Sequence, residues 1–395
     1  MKKITLIIGL ILFLSGCYDY KELNDYAIVT GVAIDKAKGK YEVSVLISNS
    51  SKTSSDAESK ESDIVVYSGY GDTIFEAFKD IGLSSPKEIY IGSFSILLIS
   101  ENIAKEGINN VIDVFLRYPN SRKSFYIAIV KEDKAKDVLK IMTPLANFPS
   151  QNISNNLASS TALQGTIRKV SFNELLSILV QDGIDPTINS IKIIGNKNNG
   201  FKQSNLETTE PKTNIKLSDL AIFKNYKLVD FANYEESLGI NFINKNMKDA
   251  YLKIKYNDGF VVIDTTRVNS NIKIDLKKNI PKINISIKGE ARITEANGNI
   301  KLTEYKTIEN LQKLSNKRIK KIVNKAITKA KINNADIFGF GLKYYHKYPK
   351  YFKKNEKKWD KIFKNLEVNT NVKIILKNKV SSKNSLEEIN DKEKN

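Results

Sequence analysis

Residues 25–47, DYAIVTGVAIDKAKGKYEVSVLI, contain two patterns that are typical of β-strands. Ala27 to Ile34 is an apolar run between two aspartates, which predicts a buried strand. After a turn that contains Gly39, apolar and mostly polar residues alternate from Tyr41 to Ile47, which predicts a second strand. The stretch therefore predicts a pair of strands at the start of the folded part of the chain.

The residues that follow this pair predict a mixture of helices and strands. Residues 48–63 are rich in Ser, Lys and acidic residues, which is typical of a surface loop. Thr73, or Asp72 before it, can cap one helix, and Ser171–Glu174 has the capping-box pattern of another. Further strands are expected at 64–70, 89–99 and 125–130, and further helices at 102–116 and 133–142. We therefore expect residues 25–195 to form an N-terminal mixed α/β region.

The second half of the chain begins with a polar segment. Residues 196–217 are rich in Asn, Lys and Thr, which predicts a linker. Strand-like runs follow it, then apolar residues at helical spacing over 307–332 and an alternating strand pattern over 366–376. Residues 218–380 are expected to form a C-terminal α+β region, and 381–395 a disordered tail. The predicted fold class is α+β (mixed α/β), with several subdomains in which mainly antiparallel sheets pack against helices.

The first residues of the chain have the pattern of an export signal. Two lysines precede an apolar run over residues 4–14, which is too short to span a bilayer as a helix. Leu14-Ser15-Gly16-Cys17 resembles the bacterial lipobox, in which the cysteine is diacylated before cleavage. We expect residues 1–16 to be a signal peptide, Cys17 to carry lipid, and 17–24 to be a lipidated tether. The alternative is an ordinary signal followed by a buried free thiol.

The composition limits the chemistry available to the chain. Hydrophobic residues make up 41% and charged residues 27% of the 395 residues, a balance that excludes a wholly disordered protein. One cysteine and one histidine exclude a multi-Cys/His zinc site and an intrachain disulfide framework. Neither a metal nor a cofactor is expected.

Most of the net charge of +19 lies in one segment, because residues 301–380 carry 22 basic and six acidic residues. The candidate basic residues are Lys317, Arg318, Lys321 and Lys325 on the predicted long helix, and Lys347, Lys350 and Lys354 in an aromatic-rich stretch. Such residues suit a surface that contacts anionic lipid headgroups or a protein partner. The alternative is an amphipathic helix whose lysines are only solvated. Nucleic acid is not an expected partner, since export separates the chain from DNA.

Three weaker motifs do not predict catalysis. Phe338-Gly-Phe-Gly341 is too short for a phosphate-binding loop and is expected to form a turn. Adjacent carboxylates at Glu235 and Glu236 would point in different directions on a helix, which favours a capping or solvated role. His346 has no carboxylate close to it in the sequence. The protein is therefore expected not to be an enzyme.

Several sequence blocks, taken in order, resemble the Ger(x)C family, the C-type lipoprotein subunits of spore germinant receptors. The blocks are Gly16–Asp19, Glu22–Asn24, Ala27–Asp35, Pro86–Gly92, Phe115–Arg117, Leu220–Lys224, Tyr234–Gly239 and Ala335–Gly341. Tyr18 stands where the family usually has Trp. The order of these blocks spans nearly the whole chain after the signal.

The resemblance implies a mixed α/β fold and a role without established catalysis. It implies an accessory subunit of a nutrient germinant receptor, needed for spore germination and anchored through Cys17 on the outer face of the spore inner membrane. The implied partners are the A-type and B-type membrane subunits of that receptor, together with membrane lipid. Two other functions remain open from the residues alone: a lipid-anchored cell-wall hydrolase and a solute-binding lipoprotein.

Overall fold

We describe the fold from a computed structural model of the chain. The structure describes residues 25–48, 64–118, 122–146, 148–163, 165–244, 247, 249–277 and 280–377. The predicted signal peptide, the lipidated tether, nearly all of the predicted loop at 48–63 and the predicted tail lie outside these residues.

A nine-stranded sheet forms the first part of the fold. Its strands are β1 (Tyr26–Ala37), β2 (Lys40–Ser48), β3 (Ile64–Gly71), β4 (Glu88–Tyr90), β5 (Ile96–Ser100), β6 (Tyr126–Val130), β7 (Thr187–Gly195), β8 (Thr213–Lys224) and β9 (Lys227–Ala232). The order is β3-β2-β1-β5-β6-β7-β8-β9, and β4 pairs with the start of β1. The predicted first pair of strands is confirmed as the β1–β2 hairpin, whose turn places Lys38 and Gly39 at positive φ.

The centre of this sheet is parallel, unlike the mainly antiparallel sheets that the sequence predicts. β1, β5, β6 and β7 pair in parallel, whereas β2, β3, β8 and β9 pair antiparallel at the two flanks. The predicted strand at 89–99 is two strands, β4 and β5, which both lie parallel to β1. Parallel strands are usually covered on both faces, which explains the unbroken apolar run in β1.

Helices cover both faces of the sheet. They are α1 (Ile74–Gly82), α2 (Glu101–Glu106), α3 (Asn109–Arg117), α4 (Ala135–Lys140), α5 (Pro149–Leu163) and α6 (Phe172–Leu179). One buried apolar cluster joins the sheet to α1, α2, α3 and α6, and a second joins it to α4 and α5. The predicted helix at 102–116 is divided into α2 and α3 because Gly107 adopts a φ of 135°.

The caps of these helices follow the sequence in part. Thr73 begins α1 with a reciprocal capping box to Glu76, as the sequence predicts. Ser171 caps α6 by accepting from the Glu174 N–H, but the Glu174 carboxylate pairs with Arg168 at 2.9 Å.

The segment 196–217, predicted to be a linker from its polar composition, is folded. It contains the short helix α7 (Lys197–Gly200), a 3-10 turn (Gln203–Asn205) and the first residues of β8, which pair with β7. The buried Asn205 side chain donates to the backbone oxygens of Met142 and Thr213 at 2.8 and 2.9 Å. A polar side chain of this segment therefore forms hydrogen bonds with buried backbone groups, as the fold requires, rather than being exposed to solvent as in a linker.

A second sheet of four strands follows. Its strands are β10 (Ala250–Tyr256), β11 (Gly259–Lys277), β12 (Ile280–Asn297) and β13 (Glu367–Leu376), in that order. β13 lies parallel to β12, and the other pairs are antiparallel. The runs predicted separately at 259–264 and 270–276 are one strand, β11, with an irregularity between Thr266 and Asn269.

Five helices complete the described part of the chain: α8 (Tyr234–Ile243), α9 (Tyr305–Ile332), α10 (Phe340–Lys347), α11 (Pro349–Asn355) and α12 (Trp359–Lys364). The predicted long helix is confirmed as α9, which buries one apolar face against the second sheet and α8. Gln312 and Asn316 of α9 accept hydrogen bonds from the β13 N–H groups of Leu376 and Ile374. Helices and two mixed sheets together give the predicted α+β class.

Candidate functional site

The predicted lipidation residue, Cys17, lies outside the described residues. Within the described part of the chain, no helix is long and apolar enough to cross a membrane. The same residues contain no group of three or more His, Cys, Asp or Glu side chains arranged to hold a metal ion.

Three of the seven predicted basic residues are engaged within the protein. Arg318 and Lys325 both bind the Glu235 carboxylate, which joins α9 to α8. The hydrogen bond from Lys325 is the largest of the influences that lower the pKa of Glu235. Lys347 donates to the Ile274 carbonyl and lies 3.4 Å from the Asp275 carboxylate. These three cations therefore stabilise the fold of the C-terminal region.

The other four predicted basic residues lie on the surface. Lys317 and Lys321 are exposed on α9, and Lys350 and Lys354 are exposed on α11. None of the four forms an ion pair with another described residue. Carboxylates of the described residues therefore offset the charge of three of the seven predicted basic residues, but not of these four.

The carboxylate pair in α8 has the structural role that the sequence favoured. Glu236 forms a capping box with Asn233, in which each side chain binds the other residue's backbone N–H. Glu235 points to the α9 cations instead. Neighbouring residues on a helix face different directions, so the two carboxylates do not converge on one site.

The aromatic-rich stretch is divided between the core and the surface. Tyr344, Phe352 and Trp359 are buried together, with the Tyr344 ring 5.7 Å from Phe352 and 5.8 Å from Trp359. Tyr351 and His346 are exposed. The prediction that Trp359 lies inside while most of the lysines lie outside is confirmed.

The structure brings together a further site, which was not predicted from the sequence. We call it the Asp185–Asp336 junction. A cavity of about 310 Å³ lies where the turn after α6 meets the α9–α10 connection. Its lining includes Asp185, Lys224, Asp336, Trp359 and Asp360. The sequence pattern that could have indicated this site is Asp182-Gly-Ile-Asp-Pro186, which is typical of a turn.

Backbone N–H groups and a lysine surround the Asp185 carboxylate. Its Oδ2 accepts from the Asp336 N–H at 2.8 Å and from Lys224 Nζ at 3.2 Å, and its Oδ1 accepts from the Asn225 N–H at 2.8 Å. Lys224 also binds Asp360 at 2.8 Å. Burial lowers the pKa of Lys224, but the charges of Asp185 and Asp360 outweigh it, so the pKa is raised.

The Asp336 carboxylate fixes the start of α10. Its Oδ1 accepts from the Phe340 N–H at 3.0 Å, and its Oδ2 accepts from the Gly341 N–H at 2.7 Å and from Trp359 Nε1 at 3.2 Å. Burial raises the pKa of Asp336 to about 7, although these donors act in the opposite direction. Both oxygens are thus occupied by donors of the fold, which indicates a positioning role rather than catalysis.

Two glycines allow the chain segments of this junction to touch. Gly183 has a φ of 76°, and a Cβ placed on it would lie 2.5 Å from the Gly341 carbonyl carbon. A Cβ on Gly341 would lie 2.7 Å from the Trp359 ring. The Leu342 N–H donates to the Gly183 oxygen at 2.9 Å. The predicted turn is confirmed for Phe338 and Gly339, and Gly339 has a φ of 65°. The prediction is wrong for Phe340 and Gly341, which begin α10, and Gly341 packs against Gly183 of the N-terminal region.

Two family models match the chain. "Spore germination protein N-terminal domain" matches residues 19–193, and "Spore germination B3/ GerAC like, C-terminal" matches residues 218–379. Because β7 pairs with β8, the nine-stranded sheet continues across the boundary between these two matches.

Relatives match over nearly the full chain. Spore germination protein KC of Bacillus subtilis (strain 168) is 25% identical over 360 residues, covering 89% of this chain and 88% of the relative. Spore germination protein GerQC of Bacillus cereus is 24% identical, covering 95% of this chain and 98% of the relative. The crystal structure of the GerBC protein superposes with a TM-score of 0.54 at 16% identity, over 91% of this chain and 100% of that one, which shows a shared fold. The chain therefore belongs to the Ger(x)C family of spore germination proteins.

Proposed function

We propose that this chain is a lipid-anchored, non-enzymatic accessory subunit of a nutrient germinant receptor. In this proposal Cys17 carries the lipid, the folded part lies on the outer face of the spore inner membrane, and A-type and B-type membrane subunits are its partners. The observation that carries the proposal is the succession of two germination domains, residues 19–193 and 218–379, directly after a lipobox-like cysteine.

The physical argument for the anchor rests on the first residues. The apolar run over residues 4–14 is too short to span a bilayer, so stable attachment requires another device. Two acyl chains on one cysteine hold a protein stably, whereas a single chain gives only marginal binding. A diacylated Cys17 therefore suffices to keep the folded region at the membrane.

The hydrogen bonds of the junction favour a structural role for its two buried carboxylates rather than a catalytic one. Asp185 and Asp336 are the most enclosed carboxylates of the described cavity, and each accepts hydrogen bonds from backbone N–H groups through both oxygens. A general acid or base needs an oxygen that faces its substrate. The Asp185 carboxylate instead joins the N-terminal region to the C-terminal region, whereas the Asp336 carboxylate binds groups of the C-terminal region alone.

We propose that Lys317, Lys321, Lys350 and Lys354 contact an anionic surface, either an acidic partner subunit or lipid headgroups. Charge reversal by Lys317→Glu with Lys321→Glu should weaken receptor assembly, because like charges then face each other. Lys288→Glu with Lys373→Glu is a matched control, since both residues are exposed on the second sheet. Equal losses from the two double variants would count against a specific role for α9.

The test of the proposal is the variant Cys17→Ala. It should abolish labelling by fatty acid, release the chain from the spore membrane fraction and impair the germination response. Ser15→Ala keeps a small residue before the cysteine and should behave as the unaltered chain. If Cys17→Ala stays in the membrane fraction and germination is unchanged, the anchor is wrong.

A further inference from the structure

We propose that a cavity between the two regions of the chain binds a small organic carboxylate. The cavity has a volume of about 220 Å³, and we call it the Arg168–Lys343 cavity. The N-terminal region contributes Arg168 and Ile184, whereas the rest of the lining comes from the end of α8, from β11, from the α9–α10 connection and from α10. The inference concerns the folded chain itself and does not depend on the proposed lipid anchor.

The cavity lies beside the Asp185–Asp336 junction. The Asp185 N–H donates to the backbone oxygen of Asp336 at 3.0 Å, and the residues next to this pair, Ile184 and Ile337, both line the cavity. Ile184 also lines the junction cavity of about 310 Å³. A ligand in the Arg168–Lys343 cavity would therefore contact both regions close to the point where their backbones meet.

Both charged side chains of the lining are cations. The Arg168 side chain is only 11% exposed, whereas Lys343 is exposed on α10 and pairs with no carboxylate of the described chain. Among the described residues that line the cavity, none is acidic. The cavity is thus suited to an anion and offers no carboxylate to an ammonium group.

The Arg168 guanidinium has more donors than the fold uses. Its Nη1 donates to the Thr187 hydroxyl and its Nη2 to the Glu174 carboxylate, both at 2.9 Å. A guanidinium has five N–H groups, and the buried Nε of Arg168 has no acceptor among the described residues. Glu174 offsets one of the two positive charges, which leaves the other for a bound anion. Pairing matters here because a buried cation without a partner is costly.

The remaining lining sets the size and the class of the ligand. The volume is below the range of about 300–1,000 Å³ that is typical of sites for drug-sized ligands, so the ligand is small. The planar guanidinium fork matches the geometry of a carboxylate. Five lining residues are apolar and suit a short hydrocarbon chain: Ile184, Ile243, Ile272, Ile337 and Phe338. A carboxylate with a short apolar chain, such as butyrate, therefore fits better than phosphate, which has no apolar surface.

Thermal unfolding of the full lipidated chain in detergent micelles tests this site. Trp359, the only tryptophan, reports unfolding by its fluorescence. The probe is sodium butyrate, and the comparisons at equal ionic strength are its neutral counterpart butanamide, its zwitterionic counterpart 4-aminobutyrate, sodium phosphate and sodium chloride. Butyrate should raise the unfolding midpoint in proportion to the occupancy of one site. At ten times its dissociation constant it should increase the ratio of folded to unfolded chain about elevenfold.

Matched variants locate the binding. Lys343→Gln removes the unpaired cation and should weaken the affinity for butyrate roughly tenfold, whereas Lys343→Arg should retain it. Lys343 is exposed, so both variants should fold. Lys353→Gln is the control, because Lys353 is exposed on α11 and does not line this cavity. Its response to butyrate should equal that of the unaltered chain.

A butyrate response that Lys343→Gln weakens and Lys353→Gln does not would support the site. The absence of any butyrate response, or an unchanged response in Lys343→Gln, would overturn it. Equal responses to butyrate and sodium chloride would show an effect of ionic strength alone, and equal or stronger responses to phosphate or 4-aminobutyrate would contradict the ligand class. Each of these results would overturn the inference without bearing on the lipid anchor.

Discussion

Replacing Gly183 with Ala should lower the free energy of unfolding by more than the cost of its backbone conformation alone, because the added Cβ would also collide with the other side of the Asp185–Asp336 junction. Gly183 has a φ of 76°, a conformation that costs a residue with a Cβ about 1–2 kcal/mol. The added Cβ would also lie 2.5 Å from the Gly341 carbonyl carbon and 2.6 Å from the Leu342 nitrogen. These are backbone atoms, so one of the two segments must shift, at a cost of about 1–3 kcal/mol. The expected loss is therefore about 2–5 kcal/mol in the free energy of unfolding.

Gly39→Ala is the matched control for this variant. Gly39 has a φ of 82°, yet no atom lies within 4 Å of the position that its Cβ would take. Its expected loss is only the conformational part, about 1–2 kcal/mol. The difference between the two variants isolates the contact between the N-terminal region and the C-terminal region.

Urea unfolding followed by tryptophan fluorescence is the suitable assay. Trp359 is the only tryptophan of the chain, and it donates to Asp336 within the junction, so its emission reports on this site. Gly183→Ala should lower the urea midpoint of the Trp359 signal well below that of Gly39→Ala. Equal losses of stability, within about 0.5 kcal/mol, would refute the close approach of Gly183 and Gly341.

Three further predictions concern single side chains. Because the pKa of Asp336 in the folded chain, about 7, lies above the usual 3.8, the unfolded chain releases this proton first as the pH rises. This group should therefore lower stability progressively between about pH 4 and 7, and Asp336→Asn should remove that component from urea midpoints measured across this range. Glu235→Gln should cost no more than about 1 kcal/mol, because its partners Arg318 and Lys325 are partly exposed, and the loss should shrink in 1 M salt, where the Debye length is about 3 Å. Thr73→Ala should cost about 1 kcal/mol in thermal unfolding through its lost cap, whereas Ser100→Ala should be neutral, because Ser100 begins α2 without a side-chain cap; equal losses would contradict the capping argument.

Local patterns predicted much of the fold because their causes lie close together in the sequence. The β1–β2 hairpin follows from an apolar run, a Gly-containing turn and a period of two, and α9 follows from apolar spacing over seven turns. Thr73 and Asn233 act as caps through residues three positions away. Such interactions need no knowledge of the rest of the chain.

The remaining features depend on contacts between distant residues. Asp185 and Asp336 are 151 positions apart, so their hydrogen bond has no local pattern. Glu235 offsets part of the charge of Arg318 and Lys325, although more than 80 positions separate it from each of them. The composition of 196–217 is that of a linker, yet pairing of β8 with β7 folds its last residues into the sheet. Tertiary contacts decide each of these cases. In the last one, polar residues that suit a loop can equally form hydrogen bonds with buried backbone groups, so composition does not distinguish the two.

The most direct test of the proposed function is affinity purification of the tagged chain from the spore inner membrane. Detergent extracts should contain the A-type and B-type receptor subunits with the unaltered chain, and much less of both with Lys317→Glu and Lys321→Glu. The extract from the Lys288→Glu and Lys373→Glu chain should match the unaltered one. Recovery of the lipidated chain without either membrane subunit would contradict its assignment to a germinant receptor.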